Sequence, residues 1–226
     1  MNSENTNAII VFTRYPVPGK VKTRLAAETS NEFACLFYKA CAEYVFTELN
    51  KLKEKEYDIY IFGSDKLELQ KIADWTDNSF YYSHQAGRDL GERMHNAFDE
   101  IFNKSYKRVV ILGTDLPEVN CELMQDAFLA LNDNDCVIGP ANDGGYYLLG
   151  FKWKAIDLFS NVKWSSESVF NDTISKIKYY STDYCTLKEL NDIDNKKDLV
   201  KWYNENMELD EHPVKIFIDN NHSELF

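Results

Sequence analysis

The run Arg108-Val-Val-Ile-Leu-Gly-Thr-Asp-Leu-Pro117 constrains the fold of this chain more than any other segment. Val109 to Leu112 are consecutive apolar β-formers, the pattern of a strand buried on both faces inside a parallel sheet. Gly113 and Thr114 end that strand and Asp115 stands at its C-terminal tip. Pro117 then keeps the backbone from running straight into a helix. Ligands of open α/β sheets bind in the crevice beyond the carboxyl ends of the strands. An aspartate there can hold a hard cation such as Mg²⁺ against ligand phosphates. It can equally cap the helix expected from about Asn120, or simply fill a turn.

A second segment lies near the N-terminus. The apolar strand Ala8 to Phe12 leads into a loop carrying Arg14, Lys20, Lys22 and Arg24, with no acid between Glu4 and Glu28. The whole chain has 37 acidic and 25 basic residues and a net charge of −12, so this cluster runs against the general balance. Pro16, Pro18 and Gly19 redirect the backbone and allow the cations to converge. A loop of this build after a first strand suits a polyphosphate, with lysine as a point charge and arginine as a planar fork. A solvated basic loop is the alternative. Neither GxGxxG nor GxxxxGK[ST] occurs, so the dinucleotide and P-loop signatures are absent.

The third segment is Ile138-Gly-Pro-Ala-Asn-Asp-Gly-Gly-Tyr-Tyr-Leu-Leu-Gly150. Asp143, Gly144 and Gly145 read as a two-residue hairpin turn between short strands. The same glycines also allow close approach of a ligand to the backbone, and Tyr146 and Tyr147 offer an amphipathic wall.

Together these segments resemble a bacterial family of small transferases, usually labelled glycosyltransferases and sometimes associated with radical-SAM enzymes. The motifs that carry the resemblance are Phe12-x-Arg14-x-Pro16-x-Pro18-Gly19-Lys20-Val21-Lys22-Thr23-Arg24-Leu25, Leu112 to Pro117, and Gly139-Pro140-x-x-Asp143-Gly144-Gly145-Tyr146-Tyr147-Leu148-Leu149-Gly150. The family is similar to 2-phospholactate guanylyltransferase and to the molybdenum-cofactor nucleotidyltransferases. The resemblance implies the nucleotide-diphospho-sugar transferase (GT-A) fold, a three-layer αβα sandwich with a mostly parallel mixed sheet.

Two further blocks fit. Gln85 to Met94 is similar to the family's Gln-x-x-Gly-x-Leu-Gly-x-Arg block, which places Gln85, Gly87, Leu90 and Gly91 near the nucleotide. The bland alternative there is Asp89 as a helix cap with Arg93 paired to a surface carboxylate. Asp192-Ile-Asp194-Asn195 resembles the Asp-x-Asp-Thr block of cytidylyltransferases, which makes Asp194 a second metal contact, unless the acids merely decorate a helix N-terminus. Trp164 resembles a family tryptophan that faces the acceptor.

The resemblance and the charge pattern together imply a divalent-metal-dependent transferase using Mg²⁺ or Mn²⁺, with Asp115 and Asp194 as metal ligands and Lys22, Arg24 and Asp115 as the catalytic set. Arg14, Gly19, Lys20 and Thr23 would bind the nucleotide, and Asp143, Gly144, Gly145, Tyr146 and Trp164 the second substrate. Nucleotidyl transfer from an NTP to a small phosphorylated or hydroxyl acceptor is favoured, because a free triphosphate carries more charge to the basic loop than a nucleotide sugar does. Glycosyl transfer and non-catalytic nucleotide binding are the alternatives.

The acidic balance argues against a nucleic-acid surface. No apolar run approaches a membrane span, and Met1 to Asn7 has no signal-peptide character. Five cysteines without a CxxC pair read as reduced thiols of a cytoplasmic protein.

Alternating patterns predict helices at about 31–53, 67–73, 90–102, 122–131, 166–178 and 196–204, the fifth with Ser165 as a candidate cap. Strands are expected at 58–62, 80–83, 135–138, 145–149 and 179–182 besides those at 8–12 and 109–112. One transferase domain would occupy residues 1–204. The tail 205–226, with the apolar run Val214–Ile218, would add an edge strand or serve as a homodimer arm.

Overall fold

The alternation resolves into one seven-stranded sheet between helical layers. The computed structural model describes residues 6–53, 57–152, 157–164 and 166–225. The strands are β1 (Asn7–Thr13), β2 (Tyr57–Gly63), β3 (Tyr81–His84), β4 (Arg108–Gly113), β5 (Cys136–Pro140), β6 (Tyr146–Phe151) and β7 (Tyr184–Thr186), in the order β3-β2-β1-β4-β6-β5-β7. Only β6 runs against its neighbours β4 and β5. The other pairings are parallel. This is the three-layer mixed sheet of the nucleotide-diphospho-sugar transferase fold.

Strand alternation divides the core. Ile9, Val11, Ile61, Val110 and Leu112 face helices α2 (Asn31–Asn50), α3 (Leu69–Trp75) and α5 (Cys121–Asp133). Ala8, Ile10, Phe62, Val109 and Ile111 face α4 (Leu90–Phe102) and Ile177 of α6 (Val169–Tyr179). The α4 stripe Met94, Ala97, Phe98 and Ile101 is buried as its i, i+4, i+7 spacing requires.

A third cluster joins α1 (Thr23–Glu28), α2, α7 (Lys196–Glu205) and α8 (Pro213–Asn220) around Leu25, Phe37, Trp202 and Ile218. Among the described residues no helix is long and apolar enough to cross a membrane.

Several expectations change. The run Val214–Ile218 is helical, not a strand: Pro213 sits at the helix start, His212 caps it, and the i, i+4 pair Val214 and Ile218 is buried against this chain's own helices. The strand expected at 179–182 lies at Tyr184–Thr186, because α6 continues to Tyr179 and the chain turns through Ser181 at φ 53° before pairing with β5. The one-and-a-half-turn helix α1 has no counterpart among the expected elements. Ser165 lies outside the described residues.

β5 and β6 are joined by a longer link than a two-residue turn. Asp143 Oδ1 accepts the Gly145 N–H, and Gly144 has φ 86°. A Cβ at Gly144 would fall 2.2 Å from the Glu167 carbonyl oxygen. The glycine is therefore needed for packing against this chain's own backbone.

Candidate active site

Because β1 lies between β2 and β4, the chain leaves the sheet on opposite sides of β1 and β4, which makes their C-terminal ends the topological switch point. A cleft of about 950 Å³ opens there, and its lining includes Arg14 after β1, Asp115 after β4 and Tyr146 at the start of β6.

Its centre is Lys22. The side chain is only 4% exposed, with Nζ 3.1 Å from Asp115 Oδ2, 3.3 Å from Asp192 Oδ1 and 3.7 Å from Asp194 Oδ1. Lys22 takes the left-handed conformation (φ 43°, ψ 49°) immediately before α1, a backbone state that costs a non-glycine residue energy and clusters at functional sites. Arg24 Nη1 lies 2.6 Å from Asp194 Oδ2. The Arg14 guanidinium has no carboxylate within ion-pair distance among the described residues, although its field reaches Asp115.

The local electrostatics follow from this crowding. Burial works against the Lys22 charge, but Asp115, Asp192 and Asp194 outweigh it and raise the pKa. Enclosure likewise opposes ionisation of Asp115, and the Lys22 ammonium reverses the balance and holds that carboxyl below its usual range. Asp192 is pushed up to about 6, by burial first and then by Asp115, Asp194 and Asp143, despite the pull of Lys22.

The flanking loops are tied together. Asp192 N–H donates to Asn142 Oδ1 at 3.0 Å, and Asn142 N–H to the Leu190 carbonyl at 3.0 Å. The helix-capping alternatives are filled by other residues: Asn120 caps α5 and Asn195 caps α7. Asp115 and Asp194 stay in the cleft.

Among the described residues no three His, Cys, Asp or Glu side chains already stand close enough together to hold a metal ion. Asp115, Asp192 and Asp194 converge on Lys22 instead, at ammonium distances rather than the roughly 2.0–2.1 Å of Mg²⁺–oxygen bonds. Their chemistry, carboxylate oxygens in excess of positive charge, nevertheless fits a hard divalent cation.

Of the sequence-predicted residues, Arg14, Lys22, Thr23, Arg24, Gln85, Leu90, Asp115, Asp143, Gly145, Tyr146, Trp164 and Asp194 line the cleft, whereas Gly19, Lys20, Gly87, Gly91 and Gly144 do not. Gln85 is partly committed elsewhere, since its Nε2 donates to the Phe62 carbonyl at 2.9 Å. Gly91 is a packing glycine: a Cβ there would come within 2.6 Å of the Trp164 ring. Asp89 does cap α4, but Arg93 lines the cleft, its Nε donating to the Gly87 carbonyl at 3.3 Å, and among the described residues it pairs with no carboxylate.

Sequence reasoning passes over Asp192 in favour of Asp194; the Asp-x-Asp spacing is the signal for both. Tyr38, which also lines the cleft, gives no signal beyond a place in a long apolar helix.

A second hollow, of about 710 Å³, opens at the N-terminal ends of β1 and β4 between Tyr106, Arg108, Asn132 and Lys152. Two of its cations are engaged with the end of α5: Lys152 Nζ donates to the Asn132 carbonyl at 2.9 Å, and Arg108 to the Asn132 side chain. They complement that helix terminus.

This fold and crevice place the chain among the nucleotide-diphospho-sugar transferase-like αβα proteins. It belongs to the family described as "Uncharacterized protein conserved in bacteria (DUF2064)", whose model matches residues 48–166. It is similar to a protein of Desulfovibrio desulfuricans G20 assigned as a nucleotide-diphospho-sugar transferase, with 32% identity, TM-score 0.91, and 98% of this chain and 97% of that one covered. The fold is shared with a cytidylyltransferase of Leptospira borgpetersenii serovar Hardjo-bovis (12% identity, TM-score 0.55, 98% and 97% covered). It is also shared with the 4-diphosphocytidyl-2C-methyl-D-erythritol synthase of Anaerococcus prevotii (13%, 0.56, 87% and 94%). No curated protein matches the sequence.

Proposed function

We propose that this protein is a divalent-metal-dependent transferase acting on an activated nucleotide, and that it transfers a nucleotidyl group from an NTP to a small phosphorylated or hydroxyl acceptor. The observation that carries the reading is the buried Lys22 ammonium among Asp115, Asp192 and Asp194 at the switch-point crevice, beside the Arg14 guanidinium.

In this reaction an acceptor oxygen forms a bond to the α-phosphorus. The bond from that phosphorus to the α–β bridging oxygen breaks, pyrophosphate leaves with the electron pair, and a hydroxyl acceptor releases its proton to water. Such transfer needs positioning and charge stabilisation more than a side-chain nucleophile. Lys22 and Arg14 supply positive charge to the phosphates. Arg24 holds Asp194 in place, and Asp115 and Asp194 are the residues that would hold Mg²⁺ or Mn²⁺. When bound, the metal adds charge neutralisation at the phosphate oxygens. Trp164, Tyr146 and Arg93 form the wall available to the second substrate.

Glycosyl transfer from a nucleotide sugar is the second reading, favoured by the assignment of the Desulfovibrio relative.

The test is a panel of NTPs and nucleotide sugars with Mg²⁺ or Mn²⁺, read by thermal shift and by pyrophosphate release. A ligand at 100 times Kd stabilises by about 2.7 kcal/mol, a readily visible shift in Tm. Pyrophosphate release from one NTP supports the first reading, and turnover confined to a nucleotide sugar supports the second. No shift with any ligand and either metal removes both.

A further inference from the structure

At the floor of the crevice, on the α2 side, three hydroxyls that the proposed chemistry does not use meet in a buried triangle. Tyr38 Oη lies 3.1 Å from Thr13 Oγ1 and 3.0 Å from Thr114 Oγ1, and the two threonine oxygens are 3.1 Å apart. The three residues are 6%, 2% and 1% exposed. The phenol oxygen also accepts the Arg14 N–H at 2.9 Å and lies 3.3 Å from the Arg14 carbonyl.

The positions matter more than the count. Thr13 ends β1 and is followed by Arg14; Thr114 follows β4 and precedes Asp115. One side chain from α2 therefore ties together the ends of the two strands that flank the switch point. It does so directly beneath the cation and the carboxylate on which the site depends.

Packing does not require the hydroxyl, because the buried residues that cluster with Tyr38 are Val21 and Cys35, which offer it only apolar surface. A phenol buried without partners would cost free energy. Here every hydroxyl has a partner, and burial keeps the phenol protonated despite the hydrogen bonds that favour ionisation. Satisfied buried polar clusters of this kind fix geometry, since the alternative arrangements leave polar groups unpaired.

We propose that Tyr38 is the positioning residue of this site, its phenol setting the places of Arg14 and Asp115 relative to one another. The catalytic consequence rests on the nucleotidyl-transfer reading, whereas the geometric claim does not. A displacement of about 1 Å at a reacting centre can cost on the order of 100-fold in rate, so losing the tie should fall on kcat.

The test compares the wild type with Tyr38→Phe, Thr114→Ser and Thr114→Val in two measurements. One is residue-resolved amide hydrogen exchange of the free protein. The other is steady-state turnover with MgATP, MgCTP, MgGTP and MgUTP.

Tyr38→Phe should speed exchange at the Arg14 amide by roughly tenfold or more while leaving Ile10 and Val110 unchanged. It should lower kcat by roughly tenfold or more with KM nearly constant. Thr114→Ser, which keeps the hydroxyl, should behave as wild type. Thr114→Val should resemble Tyr38→Phe, and the double variant should be little worse than either single one. A merely structural tyrosine would lower Tm and leave kcat untouched.

Unchanged Arg14 exchange in Tyr38→Phe overturns the proposal, as does faster exchange with full kcat. If the wild type turns over no nucleotide, the proposed function falls, and the exchange measurement alone decides whether Tyr38 holds Arg14.

Discussion

Among the described residues two lysines have almost fully buried side chains surrounded by carboxylates, and they differ in where those carboxylates come from. Lys215 (7% exposed) pairs with Asp219 at 3.0 Å, one turn along its own helix, and with Asp210 at 3.5 Å, five residues earlier. Both partners face solvent, and Tyr203 donates a hydrogen bond to Asp219 at 2.6 Å. Lys22 instead draws Asp115 from the end of β4 and Asp192 and Asp194 from the segment before α7. The first group is local, as in any helical i, i+4 pairing. The second exists only when the sheet is complete, and it leaves negative charge in excess at the sheet edge where ligands bind. Local pairs of this kind fasten an element; a cluster assembled over the whole fold is what a site requires.

The largest expected effect breaks the comparison at its carboxylates. Asp115→Asn keeps the side-chain size but removes the charge that a hard cation needs. It should lower kcat/KM by about 100-fold or more while the protein stays folded. Asp219→Asn should leave kcat/KM at the wild-type value and lower only Tm. Steady-state kinetics and circular dichroism on both variants check this, and equal kinetic losses would abolish the distinction.

Asp194→Asn should be milder, about tenfold in kcat/KM, because Asp192 remains beside Lys22 to share the charge. Its KM for the divalent metal is the quantity to follow.

Gly91→Ala probes the wall of the cleft. The new Cβ would meet the Trp164 ring at 2.6 Å, and overpacking of this type costs about 1–3 kcal/mol. The expected outcome is a shifted tryptophan emission, a lower Tm and a raised KM for the acceptor, with nucleotide binding preserved. An unchanged spectrum would show that Trp164 keeps its place and that the new methyl is accommodated elsewhere.

Much of this is legible in the sequence. The apolar run ending at Asp115 and the stripe of α4 each depend on local residue order and take their expected places, whereas of the basic loop Arg14, Lys22 and Arg24 reach the cleft and Lys20 does not. Lys22 is legible in the sequence as one cation of the basic loop, placed with Arg24 and Asp115 in the expected catalytic set. Its burial is hidden there, because it comes from a left-handed turn and from acids far along the chain, neither of which leaves a local pattern. Arg24, two residues on, has a 75% exposed side chain.

The α2 stripe is harder to read. Leu36 is 50% exposed and Tyr38 is buried, because a long helix packed on two sides buries more than one stripe and its periodicity no longer singles out a face. The tail run Val214–Ile218 does not choose between strand and helix by hydrophobicity alone, and Pro213 at the first helical position decides it.

The smallest expected effect is a pH dependence in the tail. His212 Nε2 lies 3.0 Å from the Pro117 carbonyl, and Nδ1 accepts the Val214 N–H at 3.2 Å, so the ring is neutral with its proton on Nε2. Burial lowers its pKa below 6.5, against the pull of the Pro117 carbonyl. The unfolded chain then binds the proton more readily than the folded one. The histidine's stabilising contribution is therefore present above about pH 6.5 and declines as pH falls below that value. Tm measured across this range should decline more steeply in the wild type than in His212→Asn, while site binding at pH 7.5 stays the same in both. Parallel curves would remove His212 from the account.

The central claim is that the Lys22 cluster exists to receive nucleotide phosphates, whereas the Lys215 cluster only fastens the tail. Calorimetric titration of the wild type, Lys22→Met and Lys215→Met with MgATP, MgCTP, MgGTP and MgUTP tests it most directly. The account predicts that at least one of these binds the wild type, that Lys22→Met loses roughly tenfold or more in affinity, and that Lys215→Met matches the wild type. Equal affinity in wild type and Lys22→Met, or equal losses in both variants, would contradict it.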